Sequence, residues 1–399
     1  MQHAEADIFD AYEQALDDAG LRARPVAVLD ARAMRVNLAS LHKRAGKKPL
    51  RLASKSLRCR GAMQKSLSSP GFEGLLCFTL AEALWLSSQG HSNLVLGYPT
   101  ADRDGLAALA ASEQARADIT LMIDSPQQLD LVDAAAPHHP PVRVAIELDA
   151  SFRPAPGVMI GAARSPAHSA QQLATLATEV VRRPGFTLVG LMAYEGQIAG
   201  VGNAGKGPRA LAVRAMQAAS AKELAHRRAE AVAAVRLVAE LEFVNGGGTG
   251  SLESTGAEDA VTELAAGSGV FGPGLFDHYT HFSPRHALHF GLDVVRRPSP
   301  HVATVLGGGW VASGAPGEDR LPTIAHPAGL SYRGTEGAGE VQTPLTGRAA
   351  TVLKPGDTVW FRHAKAGELA ERVNELVLIE DGVVTDVLPT YRGEGKAFL

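Results

Sequence analysis

Arg51-Leu52-Ala53-Ser54-Lys55 is an apolar run of strand length that ends on a lysine, and it is the first of eight such runs along the chain. The strand candidates are 50–54, 74–79, 93–98, 118–124, 142–149, 187–194, 242–245 and 269–271. Between them lie helix-like stretches at 80–88, 127–135 and 170–181, and a long Ala- and Arg-rich one at 208–241. Several open on a capping residue, as at Thr79 and Ser125. Strands that alternate with helices build a parallel sheet, and eight of them close into a (β/α)8 barrel of the TIM type, with the doubly wound open sheet as the competing arrangement.

Outward from the barrel the pattern changes. Upstream, 25–30 (PVAVLD) reads as a strand leading into a helix at 31–44, with Met34, Leu38 and Leu41 on one face. Beyond Tyr279 helical periodicity stops, Gly and Pro become dense through 291–347, and 301–306 and 358–361 read as strands. The stretch 375–389 (ELVLIEDGVVTDVLP) sets Asp-Gly between two alternating apolar runs, a hairpin signal. The expected organisation is a barrel over 31–280 and a β-rich domain over 281–399 to which 1–30 returns.

Composition narrows the class of partner. With 45% hydrophobic and 20% charged residues among 399, the chain has the makeup of a soluble globular protein. A net charge of −3 gives no basic surface for nucleic acid. There is no run of about eighteen apolar residues for a membrane span, and Met1–Gly20 is too acidic for a secretory signal. Cys59 and Cys77 are the only cysteines and read as reduced thiols of a cytoplasmic protein. The expected partner is a small molecule.

Lys55 stands among small residues at a strand end, which suits an amine that must react as a free base; an ordinary solvated lysine is the alternative. The seventh run leads into Asn245-Gly246-Gly247-Gly248-Thr249-Gly250-Ser251, where glycines let main chain approach an anion and two hydroxyls add donors. In a barrel the loops after strands seven and eight are a frequent phosphate site. An imine-forming lysine and a phosphate turn on one scaffold point to pyridoxal phosphate. Arg164 and Tyr194 fall in loops on the same mouth. His278, His281, His286 and His289 have tempting zinc spacing, but only Asp277 and Asp293 stand near and no cysteine does, so they read as residues of an interdomain loop.

Together these residues resemble the fold-type III pyridoxal phosphate enzymes, the alanine racemase-like barrel group, and within it the D-threonine aldolase and D-serine dehydratase family. The Arg-x-x-x-Lys of that family is matched by Arg51 and Lys55, and its next two strand ends by Thr79-Leu80-Ala81-Glu82-Ala83 and Leu96-Gly97-Tyr98-Pro99. Gly161 and Arg164 match its Gly-x-x-Arg, and Ala193, Tyr194 and Gly196 its Ala-Tyr-x-Gly. The phosphate loop is matched by Gly247-Gly248-Thr249-Gly250, and a second anion-facing segment by Gly267-Ser268 with Tyr279. The resemblance implies that Lys55 bears the cofactor and that Arg164, or else Arg153, lies beside the pyridine nitrogen.

The same resemblance implies a lyase that cleaves a D-β-hydroxy amino acid to glycine, or a small amino acid, and an aldehyde, with Lys55, Tyr194 and His363 as catalytic residues. A D-serine or D-threonine dehydratase and a non-catalytic pyridoxal phosphate homeostasis protein are the alternatives. It further implies a homodimer, and a divalent metal on a C-terminal His-x-Asp or His-x-Cys pair. The chain departs there: it reads His363-Ala364-Lys365, which leaves His363 as a metal ligand with Glu368 in reserve, or the Lys365 ammonium in place of the ion. It also carries Glu195-Gly196-Gln197 where the family uses a histidine after the tyrosine.

Overall fold

The structure, a computed structural model, describes residues 2–399 and their side chains from Ile8 onward. Helix α1 (Gln2–Asp18), strand β1 (Val26–Asp30) and helix α2 (Ala31–Ala45) precede the barrel. Eight parallel strands then close on themselves: β2 (Leu50–Ala53), β3 (Phe72–Cys77), β4 (Leu94–Leu96), β5 (Ile119–Ile123) and β6 (Val142–Glu147), then, after an excursion through the antiparallel hairpin β7 (Phe152–Ala155) and β8 (Val158–Ile160), β9 (Phe186–Ala193), β10 (Phe243–Gly246) and β11 (Glu263–Ala266). These strands read as near-continuous apolar runs because both faces are covered, by helices outside and by side chains within. Val95, Met122, Ala145, Val189, Met192 and Phe243 form one interior cluster. Gly190 is small because a Cβ there would lie 2.2 Å from the Phe243 ring.

The eighth strand is not where the apolar pattern put it. It is Glu263–Ala266, and Gly269 lies instead in the short 3-10 turn Ser268–Val270. A glutamate and two alanines give this strand little apolar weight, so its sequence reads as a loop; hydrogen-bonded pairing to Leu50–Leu52 on one side and to Asn245 and Gly246 on the other selects it. The long helix likewise stops at Arg236, earlier than its composition indicates. The helix at Leu80–Ser88 starts where expected, with Thr79 Oγ1 accepting the Glu82 N–H at 3.2 Å.

The remaining strands, β12 (Leu288–Ser299), β13 (Val302–Leu306), β14 (Thr323–His326), β15 (Leu330–Tyr332), β16 (Gln342–Gly347), β17 (Thr358–Arg362), β18 (Glu375–Glu380) and β19 (Val383–Pro389), form with β1 a nine-stranded sheet. Its pairs are antiparallel except β1 with β18. The Asp-Gly signal is realised: Asp381 and Gly382 turn β18 into β19 at φ +49° and +78°. The acidic N-terminal stretch is a helix, α1, whose Phe9, Tyr12 and Leu16 pack on Val28, Trp360 and Val377.

The chain divides into two compact units. One contains the barrel (Leu41–Lys55, Ser66–Gly267 and Phe398–Leu399); the other, the β unit, contains the sheet (the chain up to Ser40, Ser56–Lys65 and Ser268–Ala397). Cys59 and Cys77 are free and buried, and loss of solvent pushes both thiols up, Cys59 to about 11. Among the described residues no helix is long and apolar enough to cross a membrane.

Candidate active site

The C-terminal mouth of the barrel gathers side chains from five strands. Lys55 sits in a 3-10 turn just after β2, exposed, with its Nζ donating to the Tyr98 hydroxyl at 2.8 Å. Tyr98 follows β4. Arg164, on the loop after the β7–β8 hairpin, sets its guanidinium 5.3 Å from the Tyr98 ring centre and 4.9 Å from that of Tyr194, just after β9. Burial works against ionisation of Tyr98, but the Lys55 ammonium, its hydrogen bond and Arg164 together hold the phenol below its ordinary value. Tyr194 goes the other way: burial pushes it up to about 12 against the pull of Arg164, so it keeps its proton.

Glu147, the last residue of β6, is 3% exposed. Burial pushes its carboxyl up to about 7, opposed by Arg164 and reinforced by Asp124 and Asp149. A carboxyl of this kind at a barrel strand end is a functional signal. It was available in the sequence as the one charge closing the apolar run Val144-Ala145-Ile146-Glu147. Tyr98 was available too, as a strand-end residue without a role.

Beside Tyr194 lies the glycine turn after β10. Gly247 is at φ +82°, and a Cβ on Gly248 would stand 2.9 Å from Ala199 Cβ and 3.1 Å from the Tyr194 ring. Only glycines fit this turn. Its brace is Glu195, buried, which accepts from Ser251 Oγ at 2.7 Å, from Thr255 Oγ1, from Gly247 N–H at 3.4 Å and from Arg228 Nη2 at 2.9 Å. Arg228 is fully buried and also holds Glu258 at 2.5 Å. The main-chain N–H of Gly248, expected to face a phosphate, donates instead to Ser251 Oγ at 3.1 Å. Short-range closure of the turn takes that donor. Thr249 and Gly250 complete the turn.

Arg51 is corrected. Its Nε and Nη2 hold Glu263 at 2.7 and 2.8 Å and its Nη1 holds the Asn93 carbonyl and side chain at 2.8 and 2.9 Å, at the strand starts rather than the mouth. Asn245 joins the same carboxylate at 2.8 Å. Four residues from Lys55 along a short strand and turn is enough to put the two at opposite ends of the barrel wall. Arg153 is held by Asp149 at 2.7 Å at the base of the hairpin.

Ser268, Tyr279 and His363 belong to the β unit. Tyr279 packs on Phe276 and Phe282 at 5.3 and 5.2 Å. His363 is 1% exposed and neither ring nitrogen makes a hydrogen bond. Burial, then Arg362 and His286, bring it down to about 3. Glu368 Oε1 is 3.9 Å from its Nδ1 and accepts the Lys365 N–H at 2.7 Å, while Lys365 Nζ donates to the Ser313 carbonyl at 3.0 Å. Glu368, the carboxylate beside His363, is engaged by the Lys365 N–H, and among the described residues no three His, Cys, Asp or Glu are grouped to hold a divalent ion.

The barrel mouth does fit pyridoxal phosphate: an exposed amine on a rigid turn, aromatic rings with a cation between them, and a glycine turn that a single Cβ would fill. The alanine racemase N-terminal domain profile matches residues 29–273. The chain belongs to the alanine racemase N-terminal domain family. The barrel-plus-sheet fold of this family member superposes on D-threonine aldolase from Filomicrobium marinum with a TM-score of 0.78, at 22% identity over 93% of this chain and 95% of that one. D-threo-3-hydroxyaspartate dehydratase from Delftia sp. HT23 gives a TM-score of 0.70 at 20% identity over 92% and 97%. The 3-hydroxy-D-aspartate aldolase of Paracoccus denitrificans is 27% identical over 222 residues, 54% of this family member and 52% of that relative, so the match spans about half of the relative's length.

Proposed function

We propose that this chain is a pyridoxal phosphate-dependent lyase that breaks the Cα–Cβ bond of a D-β-hydroxy amino acid, giving glycine or a small amino acid and an aldehyde. The observation that carries the reading is the Lys55 amine bonded to Tyr98 in a mouth shared with Arg164, Tyr194 and the braced glycine turn. Pyridoxal phosphate, when bound, supplies the aldehyde that captures an amine and the ring that accepts an electron pair. Lys55 Nζ would be its point of attachment, and the Arg164 guanidinium would set a positive charge beside its ring.

The proton inventory closes on two side chains. Tyr98, lowered by its cationic neighbours, takes the β-hydroxyl proton as the Cα–Cβ bond breaks and the aldehyde forms. Lys55, as an ammonium at the mouth, would deliver a proton to Cα. The 2.8 Å Nζ–hydroxyl contact then carries the proton from Tyr98 back to Lys55. Tyr194, protonated, walls the site, and Glu147 fixes Arg164 electrostatically.

The test is to incubate the purified yellow protein with a panel of D- and L-β-hydroxy amino acids and assay aldehyde, 2-oxo acid and ammonia separately. Aldehyde from D-substrates, lost in Lys55→Ala together with the visible absorbance, is the expected result. It should survive a chelator, since among the described residues no three His, Cys, Asp or Glu are grouped around His363. Formation of a 2-oxo acid and ammonia without aldehyde would replace this reading with that of a dehydratase.

A further inference from the structure

A cavity of about 980 Å3 lies wholly within the β unit, on the sheet face that α1 covers. Elsewhere that face is apolar, with Val26, Val28, Trp360 and Val377. At the cavity it is not. Register puts Thr323 of β14 opposite Arg362 of β17, and Arg362 opposite His289 of β12, so three polar side chains stand in a row across three strands. Arg32, from the first turn of α2, and Arg285 add two exposed guanidiniums to the wall.

The row is only partly satisfied from within. Arg362 reaches Asp277 and His286, but its Nε is buried without a hydrogen-bond partner. His289, 5% exposed, leaves its Nδ1 buried and unpartnered while its ring meets Phe9 edge-on at 5.2 Å. Buried polar atoms of this kind cost stability unless something pairs with them. The one acid of the lining among the described residues, Asp30, has both oxygens engaged, by Tyr12 at 3.3 Å and by the Ala33 N–H at 2.8 Å. With Arg362 paired to Asp277, the two exposed guanidiniums of Arg32 and Arg285 against Asp30 leave the wall cationic. Phe9, Val36 and Ile324 make its other side apolar. Burial, His286 and Arg362 bring His289 down to about 3, so it offers a neutral imidazole and no further charge.

We propose that the β unit carries a binding site of its own for a small organic carboxylate with an apolar body, its acid group on the arginines and its body against Phe9, Val36 and Ile324. The volume is in the range of small-molecule sites.

The probe is 4-fluorobenzoate, followed by fluorine NMR on the full-length holoprotein. Saturable binding with a Kd of about 1 mM or tighter is expected. It should weaken at least tenfold in the double variant Arg32→Gln, Arg285→Gln and in Val36→Glu, which puts an opposing charge on an exposed helix position, with the melting temperature unchanged in both. Lys55→Ala should bind the probe as the wild type does. Loss of binding in Lys55→Ala would assign the probe to the barrel and overturn the proposal. So would unaltered affinity in the arginine variant, displacement by equimolar inorganic phosphate, or no saturation.

Discussion

At the scale of single residues, chemistry depends on where a charge is buried. Glu147 is the sharpest case, because its folded pKa of about 7 stands above the ordinary 4.5. For an acid raised on folding, the folded state binds the extra proton, so stability is present below about 4.5 and falls as pH rises toward 7. The loss is on the order of 3 kcal/mol for a shift of this size. Glu147→Gln should therefore flatten the fall in apo-protein melting temperature between pH 5 and 7.5 and melt higher than wild type at the upper end. An unchanged slope would mean that folding does not raise the Glu147 carboxyl. Arg51 teaches the converse lesson. In the sequence it is a motif neighbour of Lys55; in the barrel it is half of a buried ion pair, and leaving Glu263 without it would cost about 3–5 kcal/mol.

At the scale of elements, the turn after β10 is the part that main-chain geometry alone demands. Gly248→Val would drive a branched side chain into Ala199 and Tyr194, so the loop has to move. Overpacking of this kind costs about 1–3 kcal/mol. Cofactor affinity should fall by far more than thermal stability, since Glu195 still holds Gly247 and Ser251 in place. Equal pyridoxal phosphate affinity in the variant and the wild type would remove the turn from the site. Gly247 was legible because φ +82° suits glycine, and Gly248 because main chain there packs too close for a side chain. Glu195 was not, because its partners Arg228, Ser251 and Thr255 are 33, 56 and 60 residues away.

At the scale of the whole molecule, we propose that the chain works as a homodimer. Sedimentation of the holoprotein should give twice the mass of 41.8 kDa, and a fully active monomer would reject the idea. Alternation of apolar strands with capped helices determined by itself an α/β chain with a parallel sheet, because the period is a local property of the chain; closure into a barrel, rather than a doubly wound open sheet, is decided by the pairing of β11 with β2 and β10. The Asp381-Gly382 hairpin and the glycine turn were legible through residue types that tolerate positive φ, and Lys55 through the apolar run that precedes it. Tertiary structure alone decided that Glu263–Ala266, not the run after it, is the eighth strand, since pairing with β10 and β2 outweighs its weak apolar content. It alone decided that Tyr98 meets Lys55, that Arg51 faces away from it, and that Thr323, Arg362 and His289 line up across three strands. Those contacts join residues tens to hundreds of positions apart, and burial, charge and register are set only when the chain has closed on itself.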